Sequence, residues 1–347
     1  MRPCLPILVV AASLCASAPT KARAEELFEV SRFASEGRAV AAELVELNGD
    51  GRVDFFVVAL LGSPPNERRE IRVFLQADDG TFPAEPDHVI PVPRWSAVYD
   101  MAELVDDSPG EEMVLLRPDG VTLLSLADDK GRSWTLTTSG PTTAGLAADE
   151  RGFEPFKLVY DDFGPEPWIL VPRIGELTAL DARGDVKFRL EVPRRANYLI
   201  MPDTGMIELE TDFQIFLDVP KLAIGDVNGD ERVDVISATR HEIRVFLRRE
   251  DGAYELEADR IHALGLVTPR DHIRGSGGVA SAIDDIDGDG VLDLLVTHVE
   301  GGFRDAVTTL YVYMNRDGRW RLDKPDQVIA SKASMGSNVL YDVDGDG

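Results

Sequence analysis

Apolar residues in this chain come in short runs, and acidic turns separate them. Phe55-Phe56-Val57-Val58-Ala59-Leu60-Leu61 and Leu294-Leu295-Val296 are continuously apolar. A strand with one wet face alternates apolar and polar positions, so an unbroken run predicts a strand covered on both faces. The stretch from 221 to 261 displays the unit best. Lys221 to Asp226 reads as one strand, Val233 to Thr239 as a second, and Ile243 to Arg248 as a third after a polar turn at Arg240-His241-Glu242. Asp251-Gly252 then turns the chain into a fourth, Tyr254 to Ile261; Asp-Gly between apolar runs is a strong hairpin signal. The turn recurs as Asp79-Gly80 before Phe82 and as Asp317-Gly318 before Trp320. No segment carries a sustained helical period with caps, so little helix is expected.

One acidic pattern precedes the strongest apolar runs and repeats. It reads Glu46-Leu47-Asn48-Gly49-Asp50-Gly51-Arg52-Val53-Asp54, then Asp226-Val227-Asn228-Gly229-Asp230-Glu231-Arg232-Val233-Asp234, then Asp285-Ile286-Asp287-Gly288-Asp289-Gly290-Val291-Leu292-Asp293. The sequence ends inside a fourth copy, Asp342-Val343-Asp344-Gly345-Asp346-Gly347. Asp226 and Asp285 are 59 residues apart, Asp285 and Asp342 are 57 apart, and Glu46 and Asp226 are 180 apart, room for two further units. Eroded copies are expected near 106 and 161, where Ala102-Glu103-Leu104-Val105-Asp106-Asp107 and Leu158-Val159-Tyr160-Asp161-Asp162 keep the approach but lose the acid ladder. Units of four strands buried on both faces predict an all-β fold, a β-propeller of four-stranded blades starting near 46, 106, 161, 226, 285 and 342. A ring of blades also lets a long chain avoid one oversized core.

The acid spacing carries the candidate chemistry. In a tight loop, side chains at positions 1, 3, 5 and 9 can converge on one point. Hard oxygen donors there suit Ca²⁺, which takes six to eight oxygens in flexible geometry. The predicted ligands are Glu46, Asn48, Asp50 and Asp54; Asp226, Asn228, Asp230 and Asp234; Asp285, Asp287, Asp289 and Asp293; and Asp342, Asp344 and Asp346. Position 6 wants Gly for a positive φ. The Asp285 loop has four carboxylates and both glycines and is expected to bind best; Glu231 at position 6 is expected to weaken the Asp226 loop. An EF-hand needs a Glu at position 12, where this chain has Val57, Ser237 and Val296. The alternative is a set of Asx-rich hairpin turns without a cation.

Charge narrows the partners. The chain has 36 basic and 62 acidic residues, net −26, which argues against nucleic acid and anionic lipid surfaces. Its 2 cysteines, Cys4 and Cys15, lie near the N-terminus, so the rest offers no disulfide, thiolate zinc site or thiol nucleophile. Residues 1–24 read as a signal peptide: Arg2, an apolar run from Leu5 to Ala16, and Ala22-Arg23-Ala24 before the cut, with Ala16-Ser17-Ala18 as a second possible cleavage point. The run is too short to span a bilayer. A secreted, periplasmic or cell-surface location is expected.

The acidic loop, the apolar run after it, and the Asp-Gly turn before an aromatic residue resemble FG-GAP/VCBS repeats, and the loop is similar to that of integrin α-subunit propellers. The resemblance covers 26–347 and is weakest in the second and third units. It implies seven blades in the complete protein, Ca²⁺ between the first two strands of some blades, and an outer strand at Leu27 to Phe33 that closes the ring. On that reading 25–347 is a propeller truncated at its C-terminus.

Three functions fit the residues. The first is a non-catalytic, monomeric scaffold with structural calcium that binds a protein or polysaccharide. The second is a carbohydrate-active enzyme using the insertions Arg194-Arg195-Ala196-Asn197-Tyr198 or Pro269-Arg270-Asp271-His272-Ile273-Arg274-Gly275; no nucleophile elbow, phosphate loop or zinc pattern supports it. The third is a lectin-like module using Trp95, Trp134, Trp168 or Trp320, although no Trp recurs at one place in every unit.

Overall fold

The computed structural model describes residues 33, 36–63, 66–93, 95–96, 98–105, 108–126, 132–138, 140–143, 153–192, 196–200, 213–217, 221–266, 278–300 and 306–332. Among these there is no α-helix, and the strands form five successive blade sheets, one for each predicted unit except that starting near 342, which lies outside the described residues, and one separate two-stranded sheet. Blade 1 holds β1 (Arg38–Val45), β2 (Asp54–Leu61), β3 (Arg68–Phe74) and β4 (His88–Pro91) in sequence order. Blade 2 holds β5 (Val98–Ala102), β6 (Glu112–Arg117), β7 (Gly120–Ser125) and β8 (Ser133–Thr137). A short β9 (Glu154–Pro155) lies parallel to β5. Blade 3 holds β10 (Val159–Tyr160), β11 (Trp168–Pro172), β12 (Glu176–Leu180) and β13 (Val186–Glu191). A hairpin of β14 (Ala196–Ile200) and β15 (Phe213–Leu217) follows. Blade 4 holds β16 (Lys221–Gly225), β17 (Asp234–Ala238), β18 (Glu242–Phe246) and β19 (Arg260–Ala263). Blade 5 holds β20 (Gly278–Asp284), β21 (Asp293–Glu300), β22 (Val307–Tyr313) and β23 (Gln327–Ser331).

The unbroken apolar runs are the second strands, and their two faces serve two different cores. In β2, Phe56 and Val58 pack with Met113 and Leu115 of β6. The other face of β6, Val114 and Leu116, packs with Ile169 and Val171 of β11. Leu170 in turn packs with Val235 of β17, and Ile236 with Leu294 and Val296 of β21. Each apolar cluster therefore lies between consecutive sheets. Odd residues of a second strand face one neighbour and even residues the other, as period-two geometry requires. Blades stacked face to face in this way are the propeller architecture expected from the sequence. On the far face of blade 1, Phe55 stacks on Phe74 at 4.5 Å, with Phe33 and Phe82 against them. Phe33 is the one described residue of the predicted closing strand from Leu27.

The fourth strand differs from expectation. It begins at Arg260, not at Tyr254. Tyr254 instead turns inward and donates its hydroxyl to the Val233 carbonyl. The outer strands share a pin that sequence reading did not find. Asp87, Asp259 and Asp326 each precede the fourth strand of their blade and accept the amides of Leu75, Leu247 and Met314 at 2.8, 2.8 and 2.9 Å. The short Pro-Asp-His-Val, Ala-Asp-Arg-Ile and Pro-Asp-Gln-Val stretches were its signal.

Blades 2 and 3 are tied by a different device. Asp100 on β5 accepts the amides of Leu158 and Val159 at 2.7 and 2.8 Å, while Phe153 stacks on Tyr99 at 4.6 Å. Burial, the hydrogen bond with Glu43 and nearby acids raise the Tyr99 phenol well above its ordinary range.

Candidate metal centre

The three complete acidic patterns each join the first strand of a blade to its second: β1 to β2, β16 to β17 and β20 to β21. All three fold into nearly the same turn because their side chains replace missing backbone partners. The position 1 carboxylate folds back over the loop amides. Glu46 Oε1 accepts from Asn48, Gly49 and Asp50; Asp226 accepts from Asn228, Gly229 and Glu231; Asp285 accepts from Gly288, Asp289 and Gly290. The position 5 carboxylate accepts the amide two residues on, at 2.9 Å from Arg52, 3.0 Å from Arg232 and 2.9 Å from Val291. Such Asx turns are why short acids dominate the pattern. Position 6 sits in the left-handed region, with φ 79° at Gly51 and 86° at Gly290, but also 63° at Glu231.

Position 9 has a structural task that its place in the acid ladder did not reveal. Asp54, Asp234 and Asp293 are buried, and each accepts the amide of position 2, from Leu47, Val227 and Ile286, at 3.1 Å. The other oxygen of each accepts an amide just beyond the third strand, from Gln76 at 2.8 Å, Arg248 at 2.9 Å and Asn315 at 2.6 Å. These carboxylates pin the loop to the blade. Desolvation, opposed by those amides and reinforced by the loop acids, raises all three; Asp234 is pushed up to about 6.

Position 8 links blades. The Leu292 amide donates to the Asp226 carbonyl at 2.9 Å, and the Glu111 amide donates to the Glu46 carbonyl at 3.0 Å. Asn315 adds a bond from Nδ2 to the Val227 carbonyl at 2.8 Å, and Gly318 lies against Asn228. Trp320 caps its own loop, donating Nε1 to the Leu292 carbonyl at 3.0 Å. Tyr254 makes the equivalent bond to Val233 in blade 4. The aromatic residue after Asp-Gly is thus a loop cap where it carries a donor. Trp320 is buried and Trp168 stacks on Phe163 at 4.7 Å, so both are packing residues, while Trp95 is exposed.

Among the described residues, one trio of acids brings its ligand atoms together. Oxygens of Asp285, Asp287 and Asp289 lie within 4.8 Å of one another. All three donors are carboxylate oxygens, a set that suits a hard divalent cation and no soft metal. The residues present therefore fit the ion that such a loop implies. In the other two loops position 3 is Asn48 or Asn228, which removes one charge, and position 7 is Arg52 or Arg232. Each arginine places Nη2 on the position 5 carboxylate, and its Nε on the Gln76 or Arg248 carbonyl at 2.8 or 2.9 Å. The guanidinium and the hydrogen bonds from Arg52 and Asn48 outweigh partial desolvation and hold Asp50 below the usual carboxylate range.

The eroded loops lack this arrangement. In blade 2, Glu112 replaces the pin, accepting the amides of Leu104 and Val105 at 3.0 and 3.3 Å across a loop one residue longer. Asp161 and Asp162 sit in a short turn where Phe163 packs inward. Asp106, Asp107, the Asp342, Asp344 and Asp346 ladder, the 1–24 leader and the His272 insertion lie outside the described residues. Of the Arg194 to Tyr198 insertion, Ala196 to Tyr198 fall in β14.

Residues 226–296 match the FG-GAP-like repeat family. The match runs from one acidic loop through the next and ends in β21, so its unit is the blade-to-blade step described above. That stretch carries FG-GAP-like repeats. Among solved structures, the chain is similar to a chain of the Photorhabdus luminescens Tc holotoxin pore carrying the TccC3-D651A mutation. The two are 19% identical with a TM-score of 0.33, over 82% of this chain and 13% of that one. The chain thus spans a small part of the length of that structure. No curated protein matches it.

Proposed function

We propose that this chain is an exported, calcium-binding propeller that serves as a non-catalytic scaffold, with protein or polysaccharide as its partner. The observation that carries the reading is the convergence of Asp285, Asp287 and Asp289 on a turn whose base is pinned by buried Asp293. Asp285, Asp287 and Asp289 would hold the ion, and Asp293 would keep the turn seated. Calcium supplies the positive charge that offsets their mutual repulsion. At millimolar extracellular levels it would occupy even weak sites of this type.

The role of the ion is structural. The trio lies on the connection into β21, whose Leu294 and Val296 pack against blade 4, and that loop touches blade 4 through Leu292. Bound calcium would therefore stiffen an inter-blade joint, a task disulfides perform in other exported proteins. The strong acid excess supports a partner that is neither nucleic acid nor an anionic membrane. No helix among the described residues is long and apolar enough to cross a membrane.

Isothermal titration of the chain with calcium, beside magnesium and beside the Asp287→Asn, Asp289→Asn variant, tests the reading. Calcium-selective heat that the variant loses supports it. No calcium heat in a folded protein would overturn it.

A further inference from the structure

We infer that Arg52 and Arg232 are built-in counter-ions that hold the loops at 46–54 and 226–234 closed when no metal is present. The two arginines occupy position 7 and adopt the same pose. Nη2 grips the position 5 carboxylate, and Nε donates to the carbonyl of Gln76 or Arg248, just past the third strand of the same blade. Gln76 and Arg248 also supply the amides that hold Asp54 and Asp234. The guanidinium thus closes a ring: position 5, position 7, the end of the third strand, position 9. Asp78 adds a second carboxylate to Arg52, at 2.8 Å from Nη1. A planar guanidinium can make these bonds at once, and charge-assisted bonds are the strong ones.

The loop at 285–293 is the internal control. Position 7 there is Val291, whose side chain offers neither charge nor donor. Position 3 is Asp287 where the other loops have Asn48 and Asn228. Asn228 also donates Nδ2 to Asp230 at 2.8 Å, a bond Asp287 cannot offer as a carboxylate. The same backbone turn is therefore built twice with its positive charge inside the chain and once without. A cation in either of those two loops would have to share the position 5 carboxylate with a guanidinium. This inference rests on the loop geometry. Its link to the proposed calcium role lies only in which loop is left in need of an ion.

Hydrogen exchange by mass spectrometry on the full chain in EDTA tests it. Peptides covering 46–54 and 226–234 should exchange at least about tenfold more slowly than 285–293, the loss of a charge-assisted hydrogen bond being worth that factor or more. Arg232→Val should raise exchange at 226–234 by a similar factor while β17 stays protected. Val291→Arg should slow 285–293 in EDTA. Equal protection of all three loops, or an Arg232→Val loop that exchanges as before, would overturn the inference. If Arg232→Val fails to fold, Val291→Arg decides: no slowing at 285–293 overturns it. A separate calcium arm keeps the two readings apart. If calcium leaves 285–293 unchanged while the EDTA contrast holds, the calcium proposal fails and the arginine inference stands.

Discussion

The loops at 226–234 and 285–293 sit in adjacent blades and share a backbone, yet they solve the same charge problem in opposite ways. Both fold the position 1 carboxylate over the turn and bury the position 9 carboxylate beneath it. Apart from apolar exchanges at positions 2 and 8, they differ at three places: Asn228 against Asp287, Glu231 against Gly290, and Arg232 against Val291. The first loop carries its own cation and a strained residue. The second carries an extra carboxylate, a relaxed glycine and a trio of oxygens that converge. The motif therefore encodes two separable things, a turn and an ion site, and only the turn is common to both.

The largest effect should come from what the loops share. Asp234→Ala and Asp293→Ala each leave two buried amides without an acceptor, a cost of about 3 kcal/mol or more. Chemical denaturation in EDTA should give similar losses in both. A loss seen only with calcium present would mean that position 9 acts as a ligand and not as a pin.

The next effect separates the pin from the ion by pH. Burial and the nearby acids raise Asp234 to about 6 from an ordinary 3.8. The folded state then binds a proton more readily than the unfolded chain. In EDTA this group's contribution to stability should grow as pH falls from about 6 towards 4, by at most about 3 kcal/mol, and shrink as pH rises through that window. Denaturation midpoints of wild type and Asp234→Asn across this range check it; identical slopes would contradict it.

A smaller effect tests the strain that distinguishes the first loop. Glu231 holds a left-handed conformation at φ 63°, which costs a non-glycine residue about 1 kcal/mol. Glu231→Gly should recover about that much, while Gly290→Glu in the second loop should lose it, both read from melting curves.

Much of this was legible in the sequence, for identifiable reasons. The turn depends on short-range contacts, so its signature lies within nine residues and repeats at blade spacing. The unbroken apolar runs at 55–61 and 294–296 announced strands buried on both faces, and the blades follow. The direction in which position 9 points was not legible. Asp54, Asp234 and Asp293 look like the last rung of an acid ladder, but amides of Gln76, Arg248 and Asn315, far along the chain, claim them. Arg52 and Arg232 stand in a repeated Arg-Val-Asp, but nothing local reveals a guanidinium turning back on position 5. The start of the fourth strand was misplaced because Tyr254 reads as a β-former, and its hydroxyl bond to Val233 appears only once the blade is folded. Blade 2 kept its pin under another residue, Glu112, whose longer side chain spans a longer loop.

The most direct test of the account is thermal unfolding of residues 25–347 in EDTA and across a calcium titration, with magnesium as control. The account predicts a calcium-specific rise, about 5 °C at a hundredfold excess over the dissociation constant. The Asp287→Ala, Asp289→Ala variant should lose that rise, and the Asn228→Ala variant should keep it. A well-folded protein whose melting temperature ignores millimolar calcium would contradict it, leaving the three loops as turns and the blades as the whole of what they hold together.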